Sequence, residues 1–406
     1  MKGHFYKPHC KCEGKKTKKC SCGAKWSYIL DIGTDPKTGK RKQKKKGGFK
    51  NKTEAQEAAA LLIAELSQGT HIQESHKSFE EFAYEWLAMY EATGQVKIST
   101  VRVRKHEISR LLDYFAKLKL KDITRGTYQN ALVDLKNRGY AANTLDGAHR
   151  TGRMIFKKAV EMELIKKDPT EFAVVPKVQK TVEELEQEDD VPNYLEKEDL
   201  SLFLKTAKEQ GLDRDYPIFM LLAYTGMRVG ELCALKWKDI DFNEETVSIT
   251  KTYYNPTNNT IKYQLLPPKT KTAKRKIDIN HSVIKELEKL RLEQKKIRLR
   301  LRDLYHDEDF VFAKMIKYPG YPELIKVIEF RMNRILKLAD LNKELTPHSL
   351  RHTHTSLLAE AGVSLLEIME RLGHKDDDTT KNVYLHITKS MKKEASHKFA
   401  QLMENL

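Results

Sequence analysis

Residues 346–356 read Thr-Pro-His-Ser-Leu-Arg-His-Thr-His-Thr-Ser, and the C-terminal half of the chain is decided by how they start a helix. Threonine followed by proline is a strong helix opening, with Thr346 as N-cap and Pro347 as the first helical residue. His348 and Arg351 then fall three apart in the first turns, on one face, where unpaired amides and the helix dipole favour an anion. Upstream, Ile218-Phe219-Met220-Leu221-Leu222-Ala223-Tyr224 is an apolar helix end broken at Thr225-Gly226, and the chain restarts at Met227-Arg228-Val229-Gly230-Glu231. Arg228 therefore stands at a backbone break, with Glu231 one turn later to orient it. Downstream, Ser364-x-x-Glu367 caps a helix that ends at Leu372-Gly373 and delivers His374 to the next loop. Ten residues on comes Tyr384, within TTKNVYLHI at 379–387.

Two arginines, two histidines and a tyrosine suit phosphodiester chemistry without a metal. Guanidinium forks match the nonbridging oxygens of a phosphate and stabilise the added charge of a pentacovalent transition state. Histidines there move protons or hydrogen-bond the same oxygens, and a tyrosine hydroxyl is a competent covalent nucleophile. The chain has no GxxxxGK[ST] loop, no HExxH and no evident carboxylate cluster for two magnesium ions. His348 and His352 are spaced for one metal, but no acidic third ligand is near. Cys233, in an apolar helix, reads as packing.

The 406 residues carry 74 Lys+Arg against 57 Asp+Glu, a formal net charge of +17. Residues 1–52 hold 17 of the bases and only three acids (Glu13, Asp31, Asp35), so fourteen of those charges belong to one end. A cationic module is appended to a nearly balanced body, which points to a polyanionic partner. No apolar run approaches the roughly 18 residues of a membrane span, and MKGHFYKPHCKC lacks a signal-peptide core, so the expectation is a chain neither spanning nor secreted.

Within the basic module, Cys10-x-Cys12 and Cys20-x-Cys22 lie near His4 and His9. They read either as a four-thiolate structural zinc site or as reduced thiols in a lysine-rich arm. Trp26–Ile32, the turn 35–40 and RKQKKKGGF at 41–49 read as a hairpin whose second strand projects Arg41, Lys42, Lys44, Lys45 and Lys46 toward a DNA groove. Thr53-x-x-Gln56 reads as a capping box for a helix to about Gln68, with Ala58, Leu61, Leu62 and Leu66 as its stripe. Residues 77–178 read as a helical domain. Ser78-x-x-Glu81 caps its first helix, and basic faces carry Arg102, Arg104, Lys105, Arg150 and Arg153. The acid-rich stretch 179–190 is a linker by composition.

TGMRVGELCAL, TPHSLRHTHTS, LGHKD and TTKNVYLHI, in this order and spacing, resemble the signature segments of the tyrosine recombinases, the lambda-integrase family. The match covers about 190–395; residues 77–178 are similar to the family's core-site-binding domain, and 1–70 to the arm-type domain of integrases from Gram-positive phages and conjugative transposons. The resemblance implies a multidomain chain, mainly α with α+β parts. Its pieces are a sheet-plus-helix arm-binding domain (1–70), a helical SAM-like core-binding domain (77–178), the linker, a mixed α/β catalytic domain (191–395) and a tail (396–406). It implies type IB topoisomerase-like chemistry. Tyr384 attacks the scissile phosphate and forms a 3′-phosphotyrosyl link, Arg228 and Arg351 clamp the phosphate, His348 and His374 hydrogen-bond or transfer protons, and Glu231 supports Arg228. A lysine on a β-hairpin protonates the leaving 5′-oxygen, here Lys269 or its competitor Lys271. The implied activity is integration and excision of a mobile element by a homotetramer on double-stranded core and arm sites, with a small directionality factor, in the bacterial cytoplasm on the nucleoid. Catalysis then needs no cofactor. The rival readings are a chromosome-dimer-resolving recombinase and a non-catalytic regulator on the same scaffold.

Overall fold

The computed structural model describes residues 3–8, 10, 23–34, 39–67, 75–177, 194–268, 273–373, 380–381, 383–385 and 403. The chain divides into two compact units, Met1–Gln187 and Glu188–Leu406.

The first unit opens with an antiparallel sheet in the order β1 (Gly3–Tyr6), β2 (Trp26–Thr34), β3 (Arg41–Phe49). The expected hairpin is β2–β3; β1 is an addition, four residues long and too short to show a period of its own. Helix α1 (Lys52–Ser67) packs on one face of the sheet over Tyr28, Leu30, Phe49, Ala55, Ala59 and Leu62. The cap lies two residues before the expected one: Asn51 Oδ1 accepts from the Glu54 N–H at 2.7 Å, and Glu54 reaches back to the Lys50 N–H at 2.8 Å. The face packed on the sheet buries Ala55, Ala59 and Leu62, whereas Leu61, expected in the stripe, is 70% exposed.

Four helices follow: α2 (Phe79–Ala92), α3 (Ile98–Phe115), α4 (Arg125–Asn137) and α5 (Ala142–Glu161). Ser78 caps α2 as expected, its Oγ accepting from the Glu81 N–H while Glu81 accepts from the Ser78 N–H. Phe79, Phe82, Trp86, Ile108, Leu111, Phe115, Tyr128 and Phe156 close one core. Residues 178–193, with the acidic linker, lie outside the described residues.

The second unit runs α6 (Lys197–Glu209), α7 (Asp215–Thr225), α8 (Val229–Cys233), five short strands, then α9 (His281–Leu301), α10 (Ile325–Leu338), α11 (Ser349–Glu360) and α12 (Leu365–Leu372). The strands β4 (Ile240–Asp241), β5 (Thr246–Ile249) and β8 (Arg275–Asp278) form one antiparallel sheet, and β6 (Thr252–Tyr254) with β7 (Gln264–Leu266) another. Among the described residues β7 and β8 are therefore not paired with each other. The lysine-bearing stretch between them includes residues 269–272, which lie outside the described residues. The largely apolar α7 buries Ile218, Phe219, Leu221 and Leu222 in one core with Phe203, Leu232, Ile284 and Leu287, as a central helix must.

Candidate active site

Helix α7 ends because Gly226 adopts a left-handed conformation (φ 60°). The position also demands glycine on space, since a Cβ there would lie 2.7 Å from both His354 Cδ2 and Leu372 Cδ2. The break frees the Gly226 carbonyl, which accepts from Arg351 Nη1 at 2.6 Å. The C-terminus of α12 supplies the second anchor, Leu372 O accepting from Arg351 Nη2 at 2.7 Å. Two helix ends, each with unpaired carbonyls and negative dipole character, thus fix a guanidinium that is only 2% exposed. Helix α11 itself begins at Ser349, two residues later than Thr346-Pro347 suggested, and the Ser349 hydroxyl accepts from the Thr346 N–H at 3.1 Å. His348 takes the N-cap position, exposed, with its ring edge-on to His352 at 4.8 Å between centroids.

Arg228 sits at the N-cap of α8. Its N–H donates to Glu231 Oε2 at 2.9 Å and its Nη1 to Oε1 at 3.1 Å, so Glu231 orients it as its spacing implied. The carboxylate, however, has a second and more buried partner that the sequence did not single out. Arg275 Nη2 donates to Oε2 at 2.8 Å and Nη1 to Oε1 at 3.3 Å, an almost bidentate fork. The Arg228 side chain is 41% exposed and the Arg275 side chain 5%, so Glu231 is met by Arg228 from the open side and by Arg275 from the buried one. Burial pushes the Glu231 carboxyl up, and Arg275, followed by Arg228, pulls it below the ordinary carboxylate value, so it is ionised. Period-two alternation with the buried Ile277 was the signal that placed Arg275 inside.

Tyr384 is half-buried and packs with Val383 on Ala359, Ile368 and Leu372. The end of α12 thus serves both residues: the cluster that includes Leu372 seats the tyrosine, and the Leu372 carbonyl holds Arg351. Beneath this lies His354, another residue missed, with Nδ1 donating to Ala223 O at 2.8 Å and Nε2 accepting from Arg371 Nε at 3.1 Å. Burial and then the Arg371 charge push its pKa down to about 3, so the ring is neutral and structural. Cys233 is buried and its thiol pushed well up by burial, as packing requires.

Lys269, Lys271 and His374 lie outside the described residues, as do Cys12, Cys20 and Cys22; Cys10 is described and half-buried. Among the described residues no group of three or more His, Cys, Asp or Glu could hold a metal. The expected DNA-facing cations divide. Tyr28 pairs with Lys46, Leu30 with Lys44 and Ile29 with Lys45, so Lys44 and Lys46 share the helix-covered face while Lys45 points to the open one. Lys44 is half-buried, and Arg41 pairs with Asp31. Lys42, Arg102, Lys105 and Arg153 are exposed. Arg150 is exposed but paired with Asp146 at 2.6 Å. Arg104 is a correction: it turns inward, bonding Glu107 at 2.8 Å and Thr151 at 2.9 Å, because the buried Glu107 needs a counter-ion.

Three family models match the chain: the phage integrase family over residues 193–391, an arm DNA-binding domain over 15–66 and the phage integrase N-terminal SAM-like domain over 78–135. An integrase of Staphylococcus phage L54a is 31% identical over 335 residues, covering 80% of this chain and 93% of its own. Among solved structures, the Tn1549 transposon integrase in complex with transposon right end DNA superposes with a TM-score of 0.61 at 21% identity, over 78% of this chain and 99% of that one. A lambda integrase tetramer bound to a Holliday junction gives 0.53 at 18% identity, over 88% and 91%.

Proposed function

The chain belongs to the phage integrase family, and from that membership we propose how its own residues cut and rejoin DNA. It is a site-specific tyrosine recombinase, a DNA breaking-rejoining enzyme of a mobile element. Tyr384 attacks the scissile phosphate; the phosphorus–5′-oxygen bond breaks, the 5′-oxygen leaves as a hydroxyl, and the bond energy is kept in a 3′-phosphotyrosyl link. Attack by a 5′-hydroxyl of the partner strand reverses the step, so neither nucleotide nor catalytic metal is consumed. Arg228, exposed and steered by Glu231, and Arg351, locked between two helix ends, hold the phosphate oxygens. His348 and His374 hydrogen-bond or carry protons. Lys269 or Lys271 donates to the 5′-oxygen.

The observation that carries this reading is the convergence of Arg351 and Tyr384 on the end of α12, where Leu372 O holds the guanidinium and Tyr384 packs on the cluster that contains Ala359, Ile368 and Leu372. A nicked suicide substrate bearing a core site should trap a covalent protein–DNA adduct, and Tyr384→Phe should abolish it. Retention of the adduct in that variant would give the nucleophile to another residue.

The domains run 1–70 for arm sites, 77–178 for core sites and 191–395 for catalysis, with the linker 179–190 and the tail 396–406. The arm-domain match supports the integrase reading over a chromosome-dimer resolvase. Core and arm DNA, a homotetramer on the junction and a small directionality factor are the partners. No helix among the described residues is long and apolar enough to cross a membrane, and the chain acts on the nucleoid in the cytoplasm. A structural zinc on Cys10, Cys12, Cys20 and Cys22 completes the arm module.

A further inference from the structure

The arginines assigned to the phosphate leave Arg275 without a role, yet it is among the most heavily bonded side chains of the second unit. At the first position of β8, it donates through Nη1 and Nη2 to Glu231, through Nη1 to Ala273 O at 3.2 Å and through Nε to Arg371 O at 2.8 Å. These acceptors belong to three separate pieces of the site. Glu231 holds Arg228. Ala273 closes the lysine-bearing segment. Arg371 O is the backbone neighbour of Leu372 O, the carbonyl that fixes Arg351, and both stand just before Gly373 and His374 in the chain. The packing is close, since a Cβ on Gly373 would meet Arg275 Cδ at 3.1 Å.

We propose that Arg275 is a positioning residue that ties the backbone at Ala273, the Glu231–Arg228 pair and the end of α12 into one geometry competent for phosphoryl transfer. The inference rests on the roles given above to Arg228, Arg351 and Tyr384. The physical argument is charge balance around one buried carboxylate. With Arg275 in place, Glu231 is neutralised from below, and Arg228 needs to give it only one guanidinium hydrogen bond and can direct charge outward. Without Arg275, Glu231 is a buried anion whose remaining partner is Arg228. Arg228 would then be drawn onto the carboxylate and away from phosphate. The charged groups bearing on Glu231 among the described residues are Arg275 and Arg228; β6, α7 and α10, which pack on the same helix, contribute none.

The test compares single-turnover adduct formation in Arg275→Met, Arg275→Lys and the double variant Arg275→Met/Glu231→Gln with the unaltered chain. Arg275→Met should lower the cleavage rate about 10- to 100-fold, the usual effect of removing a partner behind a reacting group. Core-site affinity should stay within about threefold of the unaltered chain, because Nε, Nη1 and Nη2 of Arg275 all donate to acceptors within the protein. Arg275→Lys should recover part of the rate and the double variant more, since the latter removes the anion that captures Arg228. Equal loss in the single and double variants would overturn the proposal, as would an Arg275→Met rate within about threefold of normal. Melting curves give a second arm that needs no DNA. The deficit in Tm of Arg275→Met should shrink as pH falls from neutral toward about 5, because the uncompensated Glu231 takes up a proton in the folded state. The double variant should lack that trend, and a pH-independent deficit would also overturn the proposal. If the unaltered chain forms no adduct, the recombinase assignment fails, while the melting arm still reads the Arg275–Glu231 pair.

Discussion

Glu231 and His354 show two ways of burying an ionisable side chain beside a reacting phosphate. The carboxylate keeps its charge because two guanidiniums answer it, and the sequence showed only the nearer one, Arg228, three residues away. Arg275 is 44 positions distant and becomes a partner only through the pairing of β5 with β8. The imidazole, by contrast, gives up its charge. Its Nδ1 proton goes to Ala223 O, and its Nε2 lone pair accepts from Arg371. This sets a direction for acid sensitivity. A histidine whose folded pKa lies near 3 and whose unfolded value is 6.5 is protonated first in the unfolded chain. Its contribution is therefore intact above pH 6.5 and lost as pH falls toward 3. The expected loss between pH 6.5 and about 5 is about 2 kcal/mol, at ~1.4 kcal/mol per unit. His354→Gln can make the same two hydrogen bonds without titrating. Its urea midpoint should move less than that of the unaltered chain between pH 7 and about 5; equal movement in both would locate the acid sensitivity elsewhere.

At the scale of elements, local chemistry was the most legible part of the sequence. The Ser78/Glu81 and Ser364/Glu367 boxes form as written, because a cap needs only residues three apart. Thr53 failed for the same reason: Asn51 is a better cap two residues earlier, and Glu54 answered it. The Thr-Pro opening of α11 placed His348 and Arg351 on one turn, although the helix starts two residues late. What no local rule supplied was which strands pair: among the described residues β8 pairs with β5, and β7 with β6. β-Alternation was equally silent on the lysines of β3. Only the register shows that Lys44 and Lys46 share the face of Leu30 and Tyr28. The Cys10–Cys22 segment offers a direct measurement. Metal analysis of the purified chain should find about one zinc, lost on chelation together with thermal stability. Less than about 0.2 equivalents would defeat the four-cysteine site.

Across the whole molecule, the uneven charge predicts a separable division of labour. Fourteen of the seventeen net positive charges lie in residues 1–52. Deleting residues 1–70 should flatten the salt dependence of binding to arm sites by about 0.9 in log–log slope for each phosphate no longer neutralised, while adduct formation on a core site persists. Loss of cleavage on a pre-bound core site would refute that division. Two arginines of the second unit lean on backbone: Arg351 on the carbonyls of Gly226 and Leu372, and Arg275, beside its fork to Glu231, on those of Ala273 and Arg371. A carbonyl remains when the side chain beside it changes, provided the backbone keeps its course, which at Gly226 requires glycine. The outer face of α12, where Leu366 is 77% exposed, is therefore free to drift without moving the carbonyl that holds Arg351. Such an arrangement decouples evolutionary change in what the enzyme's surface meets from the chemistry it performs, which is what an element passing between hosts requires.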